Sequence, residues 1–223
     1  MSSTPRIALL AGATGLVGRE LVRRLLVDPA YARVHALVRR ATSGLATDAR
    51  LVIHAHDFAR LDSVPKADDV YIALGTTIKV AGSQEAFRKV DHDFVVATAR
   101  AARAAGAKRL AVVSALGADA RSRIFYNRVK GEMQDAVAQL GYESVTIAQP
   151  SMLVGDRAAL GQPVRAGEVW ADRLLSPLKA LVPRSVRPIA AGDVAAALIA
   201  ATLEGRPGLR TLSSAQMQGA SRR

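Results

Sequence analysis

Three residues in the middle of the chain have the types and spacing of a proton-transfer device. In "FYNRVKGE", residues 125–132, Tyr126 and Lys130 stand four apart. An i, i+4 pair shares one face of a helix, so a phenol and an ammonium can reach the same ligand. Ser114 precedes the tyrosine by twelve residues and ends the apolar run in "LAVVSALGAD". A free tyrosine titrates near 10, and bringing one to about 7 takes roughly 4 kcal/mol of differential stabilisation. A neighbouring cation can supply much of that. The serine hydroxyl would hold a substrate oxygen while the phenol gives or takes its proton. Each residue also has an ordinary reading: Ser114 as a strand-end turn residue, Tyr126 as core-facing, Lys130 as solvated. A match of this kind is weak alone and gains weight only from what the rest of the chain supplies.

The three residues can meet only if the fold carries them to one edge. Strand-like runs at Ile7–Ala11, Val34–Val38, Leu51–Ala55, Val70–Leu74, Leu110–Val113 and Val145–Ala148 alternate with amphipathic segments. The helical segments are Val17–Val27, Gln84–Ala105, Phe125–Leu140 and Asp193–Leu203. This alternation predicts βαβ units, hence an α/β Rossmann-type doubly wound parallel sheet over residues 1–223 as one domain. Ser114 then lies at the carboxyl edge of the sheet, where ligands bind in such folds. Composition shifts around Gly155–Pro188, read as a small substrate-side insertion of about residues 155–190. The single tryptophan, Trp170, falls there, either lining a pocket or anchoring the segment. In "GDVAAALIAATLEG", Asp193 is the expected N-cap and Gly205 the stop. The tail, about 213–223, is small and polar and is expected to fray.

The first strand-to-helix junction, "IALLAGATGLVGRELVRRLL", carries Gly12, Gly15 and Gly18. One glycine makes a tight turn, one admits a pyrophosphate, and one permits close helix–strand packing. With Thr14 and Leu16 they form the expected dinucleotide cradle, the helix N-terminus facing the phosphates. An NAD-specific site usually has a carboxylate about twenty residues further on. Here Arg39 and Arg40 stand at that place, and the next carboxylate is Asp48. Guanidinium groups suit a 2′-phosphate, so NADP(H) is expected in preference to NAD(H). Asp57, after the third strand, could meet the adenine amino group or cap a turn. With this fingerprint upstream, the Ser114–Tyr126–Lys130 set reads as a device, with Lys130 also holding the nicotinamide ribose.

Composition narrows the remaining classes. The chain has 223 residues, half of them hydrophobic, enough for one domain with a sizeable core. No apolar run approaches a bilayer-spanning length, and the N-terminal one is broken by glycines unlike a signal peptide. A soluble, cytoplasmic protein without membrane partners is expected. The absence of cysteine excludes disulfides, thiolate metal sites and cysteine nucleophiles. The net charge of +12 is scattered as arginine pairs with no interleaved aromatics, so nucleic-acid binding is not expected. His54 and His56 share a strand face without a third ligand at metal spacing, and no metal is expected. Asp91, His92 and Asp93 open a polar helix start and are expected to be solvated.

Together these motifs resemble the short-chain dehydrogenase/reductase superfamily over roughly residues 6–205. "GATGLVG", the Ser114–Tyr126–Lys130 set and "GDVA" fit its atypical or extended branches. Within it, "ALGTTIKVAGSQEAFRKVDHDFV" and "SALGADARSRIFYNRVKGE" look like the Tat-interacting oxidoreductase-like group and its small bacterial relatives. The resemblance implies that Leu74, Gly75 and Thr76 pass over the cofactor ribose and that Pro150, in "QPSML", sits by the nicotinamide. It implies an NADP(H)-dependent oxidoreductase acting on a small carbonyl or alcohol, with an NADPH-binding regulator of little turnover as the alternative. A nucleotide-sugar epimerase or dehydratase is less favoured, because relatives holding such sugars usually carry a larger C-terminal lobe. Many members place an asparagine where this chain has Asp91; a carboxylate cannot donate as an amide does, so a proton relay there differs or is absent. The substrate, the direction of reaction and the oligomeric state are left open.

Overall fold

Short runs of Ile, Leu, Val and Ala between turn residues are suited to strands buried on both faces, and here they form the centre of the molecule. The structure, a computed structural model, describes residues 5–40, 44–45, 47–155 and 183–222. Its strands are β1 (Arg6–Ala11), β2 (Tyr31–Val38), β3 (Leu51–Ala55), β4 (Asp69–Ile72), β5 (Arg109–Val113), β6 (Ser144–Gln149), β7 (Leu153–Val154), β8 (Ile189–Ala190) and β9 (Gly208–Ser213). Seven form one parallel sheet in the order β3-β2-β1-β4-β5-β6-β9, while β7 and β8 pair separately. The expected doubly wound sheet is present. Its chain runs outward from β1 to β3, then crosses back to β4 on the other side of β1. Loops leaving β1 and β4 therefore diverge, opening a crevice at their carboxyl ends.

The helices are α1 (Leu16–Val27), α2 (Ile78–Ala81), α3 (Gln84–Arg88), α4 (Phe94–Ala104), α5 (Phe125–Ala138), α6 (Ala191–Glu204) and α7 (Ser214–Met217). Strand alternation divides β1 between two cores: Ala8 and Leu10 pack with Leu21 and Leu25 of α1 and Leu198 of α6. Leu9 and Ala11 face the other way, toward Val95 and Ala99 of α4 and Met133 of α5. Each fully buried Leu contributes about 1.5–3 kcal/mol, so both faces hold the sheet. At the amino ends, buried Asp69 accepts from the Tyr31 hydroxyl at 2.7 Å and pairs with Arg6 and Arg109. Burial, reinforced by the carboxylate, pushes the Tyr31 phenol far up and keeps it a donor. This cluster ties β1, β2, β4 and β5 at the edge opposite the crevice.

Several expectations need correction. The helix expected over Gln84–Ala105 is a continuous run, but a π-helical turn at Lys89–Asp93 separates α3 from α4. Asp193 is not the N-cap of α6, which begins at Ala191 after Ala190. Its carboxylate instead accepts from the amides of Gly219 and Ser221, each at 3.0 Å. The described tail, to Arg222, accordingly does not fray: α7 opens with a Ser213–Gln216 capping box, and Met217 is fully buried. Strand β9 escapes an apolar pattern because it is an edge strand in which only Leu212 is buried. Gly205 does end α6, in the left-handed conformation at φ +62°. Most of the insertion, residues 156–182 with Trp170, lies outside the described residues.

Candidate cofactor and active site

The three glycines after β1 are there for different reasons. Gly12 has φ +89°, and a Cβ on it would meet the Ala73 carbonyl oxygen at 2.5 Å. A Cβ on Gly18 would lie 1.9 Å from the Gly12 oxygen. Close approach to the chain after β4 thus demands Gly12, and packing of α1 against its own turn demands Gly18. Gly15 is different: its φ is −80°, and a Cβ would find its nearest neighbour at 3.5 Å, an ordinary contact. Nothing among the described residues requires a glycine there. Gly15 is the N-cap of α1 and makes no side-chain cap, so the first amides of the helix face outward for an anion. A bare backbone at that point suits the close approach of a pyrophosphate. Leu16 packs inward against the α1/α6 core.

Beside this turn an open cleft of about 550 Å³ is lined by Thr14, Arg39, Arg40, His56 and Asp57, with Phe58 and Phe94 as its apolar wall. Both arginines are exposed. Asp48 is turned to Arg50 at 3.3 Å. Asp57 lines the cleft and also caps the 3₁₀ turn Phe58–Arg60, accepting from the Ala59 amide at 2.9 Å. Strand pairing adds a histidine that spacing along the chain does not reveal: His35 Nδ1 lies 2.9 Å from His54 Nε2, with His56 beyond. Burial holds the His35 and His54 imidazoles below their ordinary value. Among the described residues no group of three or more side chains could hold a metal ion. The cradle and cleft fit a dinucleotide.

The second half of the site lies across the crevice, on α5 and the loops after β4, β5 and β6. Ser114 is buried, and its Oγ accepts from Gln134 Nε2 at 2.5 Å. Gln134 Oε1 in turn accepts from Gln149 Nε2 at 3.2 Å. Tyr126, Lys130 and Gln134 recur every four residues, a stride that keeps them on one side of α5. The half-buried Tyr126 ring packs on Phe87 of α3, 5.3 Å between centroids. Lys130 is buried with its Nζ 2.7 Å from Asp91 Oδ1. Both lie against the loop after β4: a Cβ on Gly75 would be 3.3 Å from Asp91 Oδ1 and 3.8 Å from Lys130 Nζ. The Thr76 amide donates to Asp91 Oδ2 at 2.8 Å. Leu74 packs into the α4/α5 core. Pro150 is buried, its carbonyl accepting from the Leu116 amide at 2.9 Å.

The expectation for Asp91 therefore fails. It is 1% exposed, whereas its neighbours His92 and Asp93 pair with each other nearer the surface. Asp91 follows buried Phe87 by four residues and precedes buried Val95 by four, so a helical count places it on the inward face; its charge alone suggested a solvated position. Reading by residue type also missed Gln134, Phe87 and Gly131. Gln134 continues the Tyr126–Lys130 stride, so its signal was present. Gly131 is required because a Cβ would meet the Ala120 amide nitrogen at 2.0 Å, where the loop from Ser114 folds back onto α5. Phe87 left no sequence signal beyond apolar character.

The family described as NAD(P)H-binding matches residues 12–170 of this chain. Protein FMP52, mitochondrial, of Eremothecium gossypii is 36% identical over 151 residues, 67% of each chain. Its Candida albicans counterpart is 32% identical over 186 residues, 77% of this chain and 81% of that one. The expected cytoplasmic location is overturned by these relatives, whose names are mitochondrial. The Bordetella bronchiseptica enzyme WbmG in complex with NAD superposes with a TM-score of 0.69 at 18% identity, covering 96% of this chain and 74% of that one. That likeness shows the Rossmann-type fold.

Proposed function

This chain belongs to the NAD(P)H-binding family, and from that premise we propose that it is an NADPH-dependent oxidoreductase of the short-chain dehydrogenase/reductase type. Within that type we place it with the Tat-interacting oxidoreductase-like group, whose motifs "SALGADARSRIFYNRVKGE" resembles. The observation that carries the reading is the buried Lys130, one helical turn from the half-buried Tyr126 and held against Gly75 beside the cofactor crevice. Gly12, Thr14, Gly15, Leu16 and Gly18 would hold the pyrophosphate, and Arg39 and Arg40 the 2′-phosphate, with Asp57 at the adenine. Leu74, Gly75, Thr76 and Lys130 would meet the nicotinamide ribose, and Pro150 the ring. When bound, the dinucleotide supplies the hydride. Ser114, its Oγ already oriented by Gln134, would donate to the substrate carbonyl oxygen, and Tyr126 would pass its proton to that oxygen. The partner is a small carbonyl or alcohol, with no nucleic acid or membrane in the reaction.

The test is NADPH consumption against a panel of aldehydes, ketones and quinones, for the wild type and Tyr126→Phe. Turnover in the wild type with at least a hundredfold loss in the variant, at near-unchanged NADPH affinity, is the expected outcome, in line with general acid catalysis worth roughly 10²–10⁴. Full activity in the variant would remove Tyr126 from its role. Tight NADPH binding without reduction of any compound would favour the regulatory alternative.

A further inference from the structure

Among the described residues only two carboxylates, Asp69 and Asp91, are buried, and Asp91 alone lies at the crevice. It lies in the π-helical turn Lys89–Asp93, its carboxylate between the loop after β4 and α5. There Oδ2 takes the Thr76 amide and Oδ1 stands 2.7 Å from Lys130 Nζ. The absence of a side chain at Gly75 leaves room for the pair beneath the loop. An ion buried to this degree is strongly disfavoured unless paired. The contact therefore compensates Lys130 and locks its direction.

Of the other charges on the packed elements, Glu85 of α3 and Asp135 of α5 are exposed, and several are engaged elsewhere. Arg88 of α3 pairs with Glu132 of α5, and Arg128 lies over the Phe125 ring and donates to the Ser122 carbonyl. Lys89 lies over Phe94, and His92 pairs with Asp93.

Resting on the reductase reading, we propose that Asp91 is a positioning residue: as counter-ion of Lys130 it holds the ammonium beneath Gly75–Thr76 for the cofactor ribose.

Asp91→Asn keeps an acceptor for the Thr76 amide and removes the charge; Asp91→Glu keeps the charge. NADPH affinity, measured by binding titration, needs no substrate. The Asn variant is expected to bind NADPH at least tenfold more weakly at a near-unchanged Tm, and the Glu variant to restore the affinity. Unchanged affinity in a folded Asn variant overturns the inference. Weakened binding in the Asn variant of a protein whose wild type reduces nothing supports the role of Asp91 and sinks the reductase reading instead.

Discussion

Gly15 and Gly18 sit three residues apart in one turn, yet substitution should separate structure from binding. A Cβ at Gly18 would overlap the Gly12 carbonyl at 1.9 Å, and no side-chain rotation relieves contact with backbone. Gly18→Ala should cost about 1–3 kcal/mol or more of stability, as overpacking does. Gly15→Ala meets only an ordinary 3.5 Å contact and should leave the denaturation midpoint nearly unchanged. Its methyl would instead occupy the approach of the pyrophosphate, and NADPH affinity should fall at least tenfold, about 1.4 kcal/mol. Equal thermal destabilisation by both, or unaltered affinity in Gly15→Ala, would disprove this division of roles.

Among the elements, α6 and the chain end form a unit through Asp193. Burial works against its charge, but hydrogen bonds from the Ser221 hydroxyl and the amides of Gly219 and Ser221 outweigh that and hold the carboxyl below its ordinary value. A depressed carboxyl contributes stability that is fully present above its unfolded value, near 3.9, and disappears as pH falls through the folded value. The tail should therefore be anchored at neutral pH and loosen only on acidification below about 4. Amide exchange at Gly219 and Ser221 should accelerate in Asp193→Ala at neutral pH while exchange in β1 and β4 stays slow. Uniform acceleration across the sheet would show instead that the tail unfolds only with the whole domain.

For the molecule as a whole, the proposed cofactor preference has a thermodynamic signature. A ligand that binds the folded state alone adds about 2.7 kcal/mol at a hundred times its Kd. For a chain of this size each kcal/mol raises Tm by roughly 2–4 °C, so NADPH should raise it by about 5–11 °C. Equal concentrations of NADH should do less, because the exposed Arg39 and Arg40 would then find no 2′-phosphate. Replacing both arginines by alanine should abolish the difference between the two dinucleotides and leave the NADH shift intact. Equal shifts in the wild type would refute the preference. Arginines elsewhere are scattered along the chain, and the total charge of +12 plays no part in this expectation.

What the amino-acid order determined is whatever depends on local pattern. Alternating apolar runs and amphipathic segments specify a parallel α/β sheet, and Gly12, Gly15 and Gly18 mark the turn after β1. Tyr126 and Lys130 share a helix side because four residues make about one turn. The order of residues could not say which charges meet. Asp91 reads as a surface residue by its charge, although it shares the helix face of Phe87 and Val95, and only the packing of that face on α5 brings it to Lys130, 39 positions later in the chain. His35 joins His54 only through the register of β2 on β3. Gln134 meets Ser114 only because the loop between them folds back over Gly131. Strand β9 and the tail are ordered by an edge and a carboxylate, not by their own hydrophobicity. Periodicity is a property of neighbours along the chain; ion pairs, ring contacts and tight backbone approaches belong to residues that only tertiary packing makes neighbours.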